Sequence, residues 1–267
     1  MQRLLVSLTF AVVAATIGCR HDPSGAPSAT ADALPPVVAK KPTDAKTTAV
    51  AKKTKDSKPP APKKTKQELA FEAIKKRGGS VRTDPEDPEQ KPVVFADLHG
   101  FRNAVTALDS IAPLTKLREI NLHNAGFSDA DLGRIRGLNN LATVNLSGTK
   151  VTDAGLPALE TLPNLRSLNL NETAVTDSGL QYLRSMTNLS DLSIYGTKVT
   201  DEGLVQLRSF ATLQKLVIGG GNTITDRGLT TLATMTQLRD LTVLSNRVTK
   251  SAIEDLKIAL PQLRITH

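Results

Sequence analysis

The chain of 267 residues is 39% hydrophobic and 3% aromatic, lacks Trp, holds one Cys and carries a formal net charge of +8. That basicity raises nucleic acid as a partner class, yet the sequence argues against it. Residues 40–66 hold ten Lys against two Asp, whereas Val93 onward holds 17 Lys and Arg against 16 Asp and Glu. The excess lies in one tract, no aromatic side chain interleaves it, and the leader points out of the cytoplasm.

Residues 1–19 read as a signal peptide. Arg3 gives a positive start, residues 4–17 are apolar apart from Ser7, Thr9 and Thr16, and Gly18-Cys19 closes the segment. It is too short for a bilayer span, which needs about 20 apolar residues, and long enough for a signal-peptide core. Thr16-Ile17-Gly18-Cys19 resembles the bacterial lipobox, with Thr16 where Leu is usual. The resemblance implies lipid attachment at Cys19, which would hold the protein on a membrane. Ordinary cleavage nearby and retention as a weak anchor are the alternatives.

Residues 20–66 are rich in Lys, Pro, Ala and Thr and offer too few large apolar side chains for a core. They are expected to be a disordered linker, reaching ~40 Å as a flexible coil. Its lysines suit either a solvated spacer or contact with anionic lipid or cell-wall polymer. Residues 67–92 are expected to form an N-terminal cap on the domain that begins at Val93. The pattern predicts a helix over 67–76 with Leu69, Ala70, Ala73 and Ile74 on one face, stopped by Gly78-Gly79. A short strand over 80–83 and an acidic, Pro-containing loop over 84–90 complete the cap.

From Val93 to the end the chain repeats. Leu117, Leu141, Leu165, Leu189 and Leu213 recur every 24 residues, and Leu238 and Leu263 come next at 25. A fixed period of this length marks stacked supersecondary units. In the unit LATVNLSGTKVTDAGLPALETLPN, Val144 and Leu146 alternate as on a short strand, Ser147-Gly148-Thr149 signals a turn, and Val151 points inward again. Thr152 and Asp153 are N-cap residues. Leu156, Leu159 and Leu162 then form one stripe of a short helix, closed by Pro163. Val-Thr-Asp recurs at 151–153, 175–177 and 199–201, and Ile-Thr-Asp at 224–226. One extra residue at Gly219–Gly221 predicts a bulge or widened turn. Residues 93–267 thus make about seven units of 24–25 residues, with a terminal strand expected at 263–265.

These features resemble the leucine-rich repeat family. L-x-x-L-x-L is met five times running from Leu117, with Ile or Val in some slots, and Val-Thr-Asp-x-Gly-Leu is similar to the bacterial variety and to the cysteine-containing subfamily. The resemblance implies an α/β fold, a right-handed solenoid with a parallel sheet on the concave face and short helices on the convex face. The Asn that many family members carry in slot nine is here Thr149, Thr173 and Thr197, whose hydroxyls are expected to take over part of its backbone-satisfying role. Asn returns only at Asn222 and Asn246.

Tests for catalysis return nothing. No Ser-His-Asp arrangement, nucleophile elbow or phosphate-binding loop is legible. His99 and His123 stand one period apart beside Asp97, Glu119 and Asn121, but spacing fixes no third metal ligand. No cofactor, metal or catalytic residue is expected, and the chain is read as non-enzymatic. The binding surface is expected on the concave strands. Asp97, His99, Glu119, Asn121, His123, Asn145, Asn169 and Asn171 give its first part a polar character. Asp191, Tyr195, Lys215, Val217 and Leu244 carry it into an apolar second part. The order of leader, linker and repeats points to a cell-envelope scaffold, membrane-anchored in the periplasm or at the bacterial cell surface. It would bind a protein or peptide, or a glycan. The alternatives are a structural, cell-wall-associating protein, or a secreted adhesin or effector.

Overall fold

Strand after strand enters the same sheet at the pitch of the sequence repeat. A computed structural model describes residues 64–267 except Pro88, Asn103, Asn222 and Asn246, all within the unit that spans Pro60–His267. The leader, Cys19, the lysine-rich tract up to Lys63, Asn222 and Asn246 lie outside the described residues.

Helix α1 (Lys66–Lys76) begins one residue before the predicted start. Thr65 caps it, accepting from Glu68 N while the Glu68 carboxylate accepts from Thr65 N, so two otherwise unpaired amides are satisfied. Strand β1 (Ser80–Thr83) comes next and lies antiparallel to β2 (Val93–Asp97). After it come α2 (Ala104–Ile111), β3 (Glu119–Asn121), α3 (Asp129–Leu132) and β4 (Thr143–Asn145). A 3-10 helix spans Asp153–Thr161. The chain then forms β5 (Ser167–Asn169), α4 (Asp177–Leu183), β6 (Asp191–Ser193), α5 (Asp201–Leu207), β7 (Lys215–Gly219), α6 (Asp226–Leu232), β8 (Asp240–Leu244), α7 (Lys250–Ala259) and β9 (Arg264–Thr266). From β2 to β9 all pairings are parallel and sequential.

The register reproduces the period. Ile120, Val144, Leu168, Leu192, Leu216, Leu241 and Ile265 form one cross-strand column. Leu141, Leu165 and Leu189 are each buried to 1% exposure or less. A buried leucine contributes about 1.5–3 kcal/mol, and each unit supplies several, so stacking rather than any single unit holds the fold.

Three details refine the expected pattern. The segment holding Leu156 and Leu159 forms a 3-10 helix, not an α-helix, with Leu162 as its C-cap. The same leucine spacing forms α-helices at Asp177–Leu183 and Asp201–Leu207, so the difference lies in Pro157, which has no N–H for a carbonyl four residues back. The extra residue at Gly219–Gly221 leaves the ladder unbulged: β7 and β8 pair continuously from Lys215↔Asp240 to Gly219↔Leu244. The insertion is absorbed in the turn after β7, where Gly220 has φ of 72°. The last strand runs Arg264–Thr266, not 263–265, because pairing advances by 24 from Asp240 to Arg264 while the leucines advance by 25. The longer α7 takes up the difference.

The Val-Thr-Asp-x-Gly-Leu phrase is an inter-unit clamp. Asp153 Oδ1 accepts from Thr176 N at 2.8 Å and its Oδ2 from Thr176 Oγ1 at 2.6 Å. The same pair of bonds joins Asp129 to Thr152, Asp177 to Thr200, Asp201 to Thr225 and Asp226 to Thr249. Each Thr also caps its own helix; Thr176 Oγ1 accepts from Ser178 N. The glycine makes room: a Cβ on Gly179 would lie 2.3 Å from Asp153 Oδ1. In the first clamped unit the glycine slot is Asp131. Asp131 instead accepts from Ser128 N and Oγ. The buried slot-nine threonines donate to backbone carbonyls, Thr149 to Leu146, Thr173 to Leu170 and Thr197 to Ile194, at 2.6–2.7 Å.

Candidate binding surface

The outward side chains of the strands form two unlike regions. In the first, across β2 to β5, the slot-five residues Asp97, Asn121, Asn145 and Asn169 stand in register. Asn145 Nδ2 donates to Asn121 Oδ1 and Asn121 Nδ2 to Asp97 Oδ1, both at 3.0 Å. Each also accepts from the backbone two residues on: His99 N to Asp97, His123 N to Asn121, Ser147 N to Asn145 and Asn171 N to Asn169. These amides finish the strands and tie neighbours together.

The register also brings together a pair that linear motif reading misses. His123 Nδ1 lies 2.7 Å from Ser147 Oγ. Directionality shows what the contact can do. Asn124 Nδ2 can only donate, so His123 Nε2, 3.0 Å away, accepts from it and the ring proton sits on Nδ1. Ser147 Oγ then accepts from His123 and donates to Asn145 Oδ1 at 2.8 Å. The chain continues through Asn121 to the Asp97 carboxylate, which also accepts from His99 Nδ1 at 3.0 Å. A general base must accept the nucleophile's proton; here the hydroxyl proton points away from the imidazole. The pair is a link in a structural relay. Among the described residues, no group of three His, Cys, Asp or Glu could hold a metal ion.

Slot three carries charge in alternation. Arg82 of β1, which the sequence did not mark, bonds Glu119 at 3.3 Å and lies over the Phe95 ring at 4.1 Å. Further along, Lys215 lies 3.7 Å from Asp191, and Arg264 pairs with Asp240 at 2.7 Å. A cleft of about 350 Å³ crosses β2 to β5 between Arg82, Phe95, Glu119, Thr143, Ser167 and Asn169.

The second region, β6 to β8, departs from the ladder. Slot five becomes Ser193, Val217 and Thr242. Asn171 Oδ1 now accepts from Ser193 Oγ and Tyr195 N, at 2.6 and 2.8 Å. Strands β7 and β8 lengthen to five residues, against three in β3 to β6. Tyr195 is half-buried, its ring lying against Gly220, where a Cβ would sit 2.9 Å from it. Val217 is half-buried and Leu244 is 50% exposed. The expected site residues therefore divide. Asp97, Asn121, His123 and Asn145 are bound to one another, whereas Tyr195, Val217 and Leu244 present apolar surface.

Comparison with known proteins agrees with this architecture. The family model described as Leucine Rich repeat matches residues 161–183. No curated protein matches the sequence. Among solved structures, internalin C2 of Listeria monocytogenes is 21% identical with a TM-score of 0.52, over 73% of this chain and 81% of that one. Another internalin of Listeria monocytogenes is 23% identical with a TM-score of 0.43, over 74% of this chain and 67% of that one. A leucine-rich repeat protein of Leptospira interrogans is 22% identical with a TM-score of 0.43, over 59% of this chain and 39% of that one. At 21% identity the likeness to internalin C2 is one of fold: the described chain is a leucine-rich repeat solenoid, a parallel sheet alternating with short helices.

Proposed function

We propose that this protein is a non-catalytic scaffold of the cell envelope, tethered to a membrane through a lipidated Cys19, that captures a protein or peptide on its sheet face. The leucine-rich repeat fold supports a protein-binding scaffold. The tether rests on the leader sequence alone. The observation that carries the placement of the site is the change at β6 to β8. There the hydrogen-bonded amides give way to Tyr195, Val217 and a half-exposed Leu244. Departure from the repeat's own structural rule marks a position kept for another purpose. Tyr is a favoured anchor at interfaces.

The test uses the structure's own partition. Tyr195→Ala with Leu244→Ser should leave the circular dichroism spectrum and melting temperature near wild type and reduce partner capture from envelope extracts at least tenfold. Capture at wild-type level would remove the site from this region. Asn145 and Asn169 are poorer probes, since altering them disturbs the strand ends. The tether is tested by labelled-lipid incorporation, which Cys19→Ser should abolish.

A further inference from the structure

One edge of the solenoid is uniformly basic. The six connections that lead from a helix end to the next strand between α2 and β8, residues 112–118, 136–142, 162–166, 184–190, 208–214 and 233–239, contain seven Lys and Arg and no Asp or Glu. Arg118 alone of the seven is neutralised, by Asp84 at 3.1 Å. Lys116, Arg136, Arg166, Arg184, Arg208 and Arg239 are exposed. None of these six has a carboxylate partner among the described residues. The opposite edge, where strands lead into helices, holds the clamp aspartates and mixed charge.

Helix dipoles explain part of this. Arg136, Arg184 and Arg208 are C-caps, where a cation is favourable. Lys116 and the arginines that immediately precede β3, β5 and β8 are not at helix ends, so the dipole leaves them unexplained. Their spacing follows the sheet: β3 to β8 is five strand steps, roughly 24 Å.

We propose that this edge lies against an anionic phospholipid surface. The partner chemistry is set by what the band offers and lacks. Its six connections offer cations and no carboxylate of their own. It lacks the exposed aromatics that stack nucleic-acid bases; its one aromatic, Phe210, is buried. It lacks exposed large apolar side chains for insertion, those of the described residues being Leu69, Val205, Leu244 and Ile258 elsewhere. The lysine-rich tract at residues 40–66 carries the same sign. Basic residues near an anionic leaflet each strengthen adsorption, by roughly fivefold. The proposal stands apart from the sheet-face site: it names a second surface, and holds whether or not that site captures a partner.

The experiment is co-sedimentation of the chain from residue 20 onward, without the leader and Cys19 so that neither an apolar segment nor an acyl chain contributes, with vesicles of phosphatidylglycerol and phosphatidylcholine or of phosphatidylcholine alone. Two triple variants share the same lysine tract: R166Q/R184Q/R208Q on the basic edge and K150Q/K198Q/R247Q on the opposite edge. The first should lose roughly 100-fold in partitioning to anionic vesicles, while the second stays within a few-fold of the unsubstituted protein. Binding should vanish at about 1 M salt, where the screening length is ~3 Å. Equal loss in both variants, no loss in the first, equal binding to neutral vesicles, or survival in high salt would each overturn the proposal. So would tighter binding to polyphosphate or RNA at matched phosphate concentration, which would assign the edge to a soluble polyanion. The melting temperature of each variant confirms that the fold is intact.

Discussion

The two halves of the sheet face solve the same backbone problem with different side chains. From β2 to β5, Asp97, Asn121, Asn145 and Asn169 close their own strands, and three of them bond across to a neighbour. Beyond β6 the strand ends are arranged otherwise. Asn171 serves Tyr195 from the previous unit, β7 and β8 extend, and glycines with φ of 123° and 72° carry the chain away. A polar surface is therefore not by itself a binding surface. Polar groups bound to one another have little left to offer a partner, whereas half-exposed Tyr195 and Leu244 offer area that water leaves readily.

The helix side gives the control. Its clamp runs through both halves unchanged, so breaking it should cost the same in each. Gly179→Ala and Gly228→Ala place a Cβ 2.3 Å from Asp153 Oδ1 and Asp201 Oδ1 respectively. Displacing the carboxylate loses two charge-assisted bonds, about 2–3 kcal/mol, read as matched falls in urea midpoint. Unequal falls would show that the halves differ in stiffness as well as in surface.

On the sheet face the cost should split. Asn145→Ala strands the Ser147 amide and hydroxyl and leaves the Asn121 acceptor without its amide donor, about 2 kcal/mol in urea unfolding. Val217→Ala removes two methyl groups from a half-buried site, below about 1 kcal/mol. Equal costs would mean that the apolar half is as structural as the polar one, and would weaken its reading as a binding surface.

The columns of this fold were legible because periodicity is a property of sequence: a leucine every 24 residues states which side chains stack. The slot-nine hydroxyls were legible for the same reason. What one period cannot show is which atoms meet across it. His123 and Ser147 hold the same slot one period apart, so the spacing sets them on adjacent strands but does not show that the ring nitrogen meets the hydroxyl. The role of Asp in Val-Thr-Asp-x-Gly-Leu reads locally as capping; its strongest bonds go to the next unit. Arg82 stood in a short strand outside the repeat, and only antiparallel pairing with β2 sets it over Phe95. The helix type at Asp153–Thr161 turned on Pro157, which marks the end of a helix as readily as its narrowing.

The smallest expected effect is the most discriminating about charge. Asp97 and Asp240 both stand on the sheet face with a cationic or imidazole neighbour, yet they are placed differently. Asp97 Oδ1 receives Asn121 Nδ2, His99 N and His99 Nδ1. Asp240 meets Arg264 at 2.7 Å, with the arginine side chain 79% exposed. Exposed pairs contribute roughly 0.2–1 kcal/mol and fade with salt. Asp240→Asn should therefore cost below about 0.5 kcal/mol, and nothing measurable once salt is raised. Asp97→Asn keeps an oxygen for the ladder but lowers its charge, so a cost of about 1 kcal/mol should persist in salt. If both losses disappear together on adding salt, the first half is held by ordinary surface charge. If only that at Asp240 does, directed hydrogen bonds hold the polar half, and the apolar half is the one left free to bind.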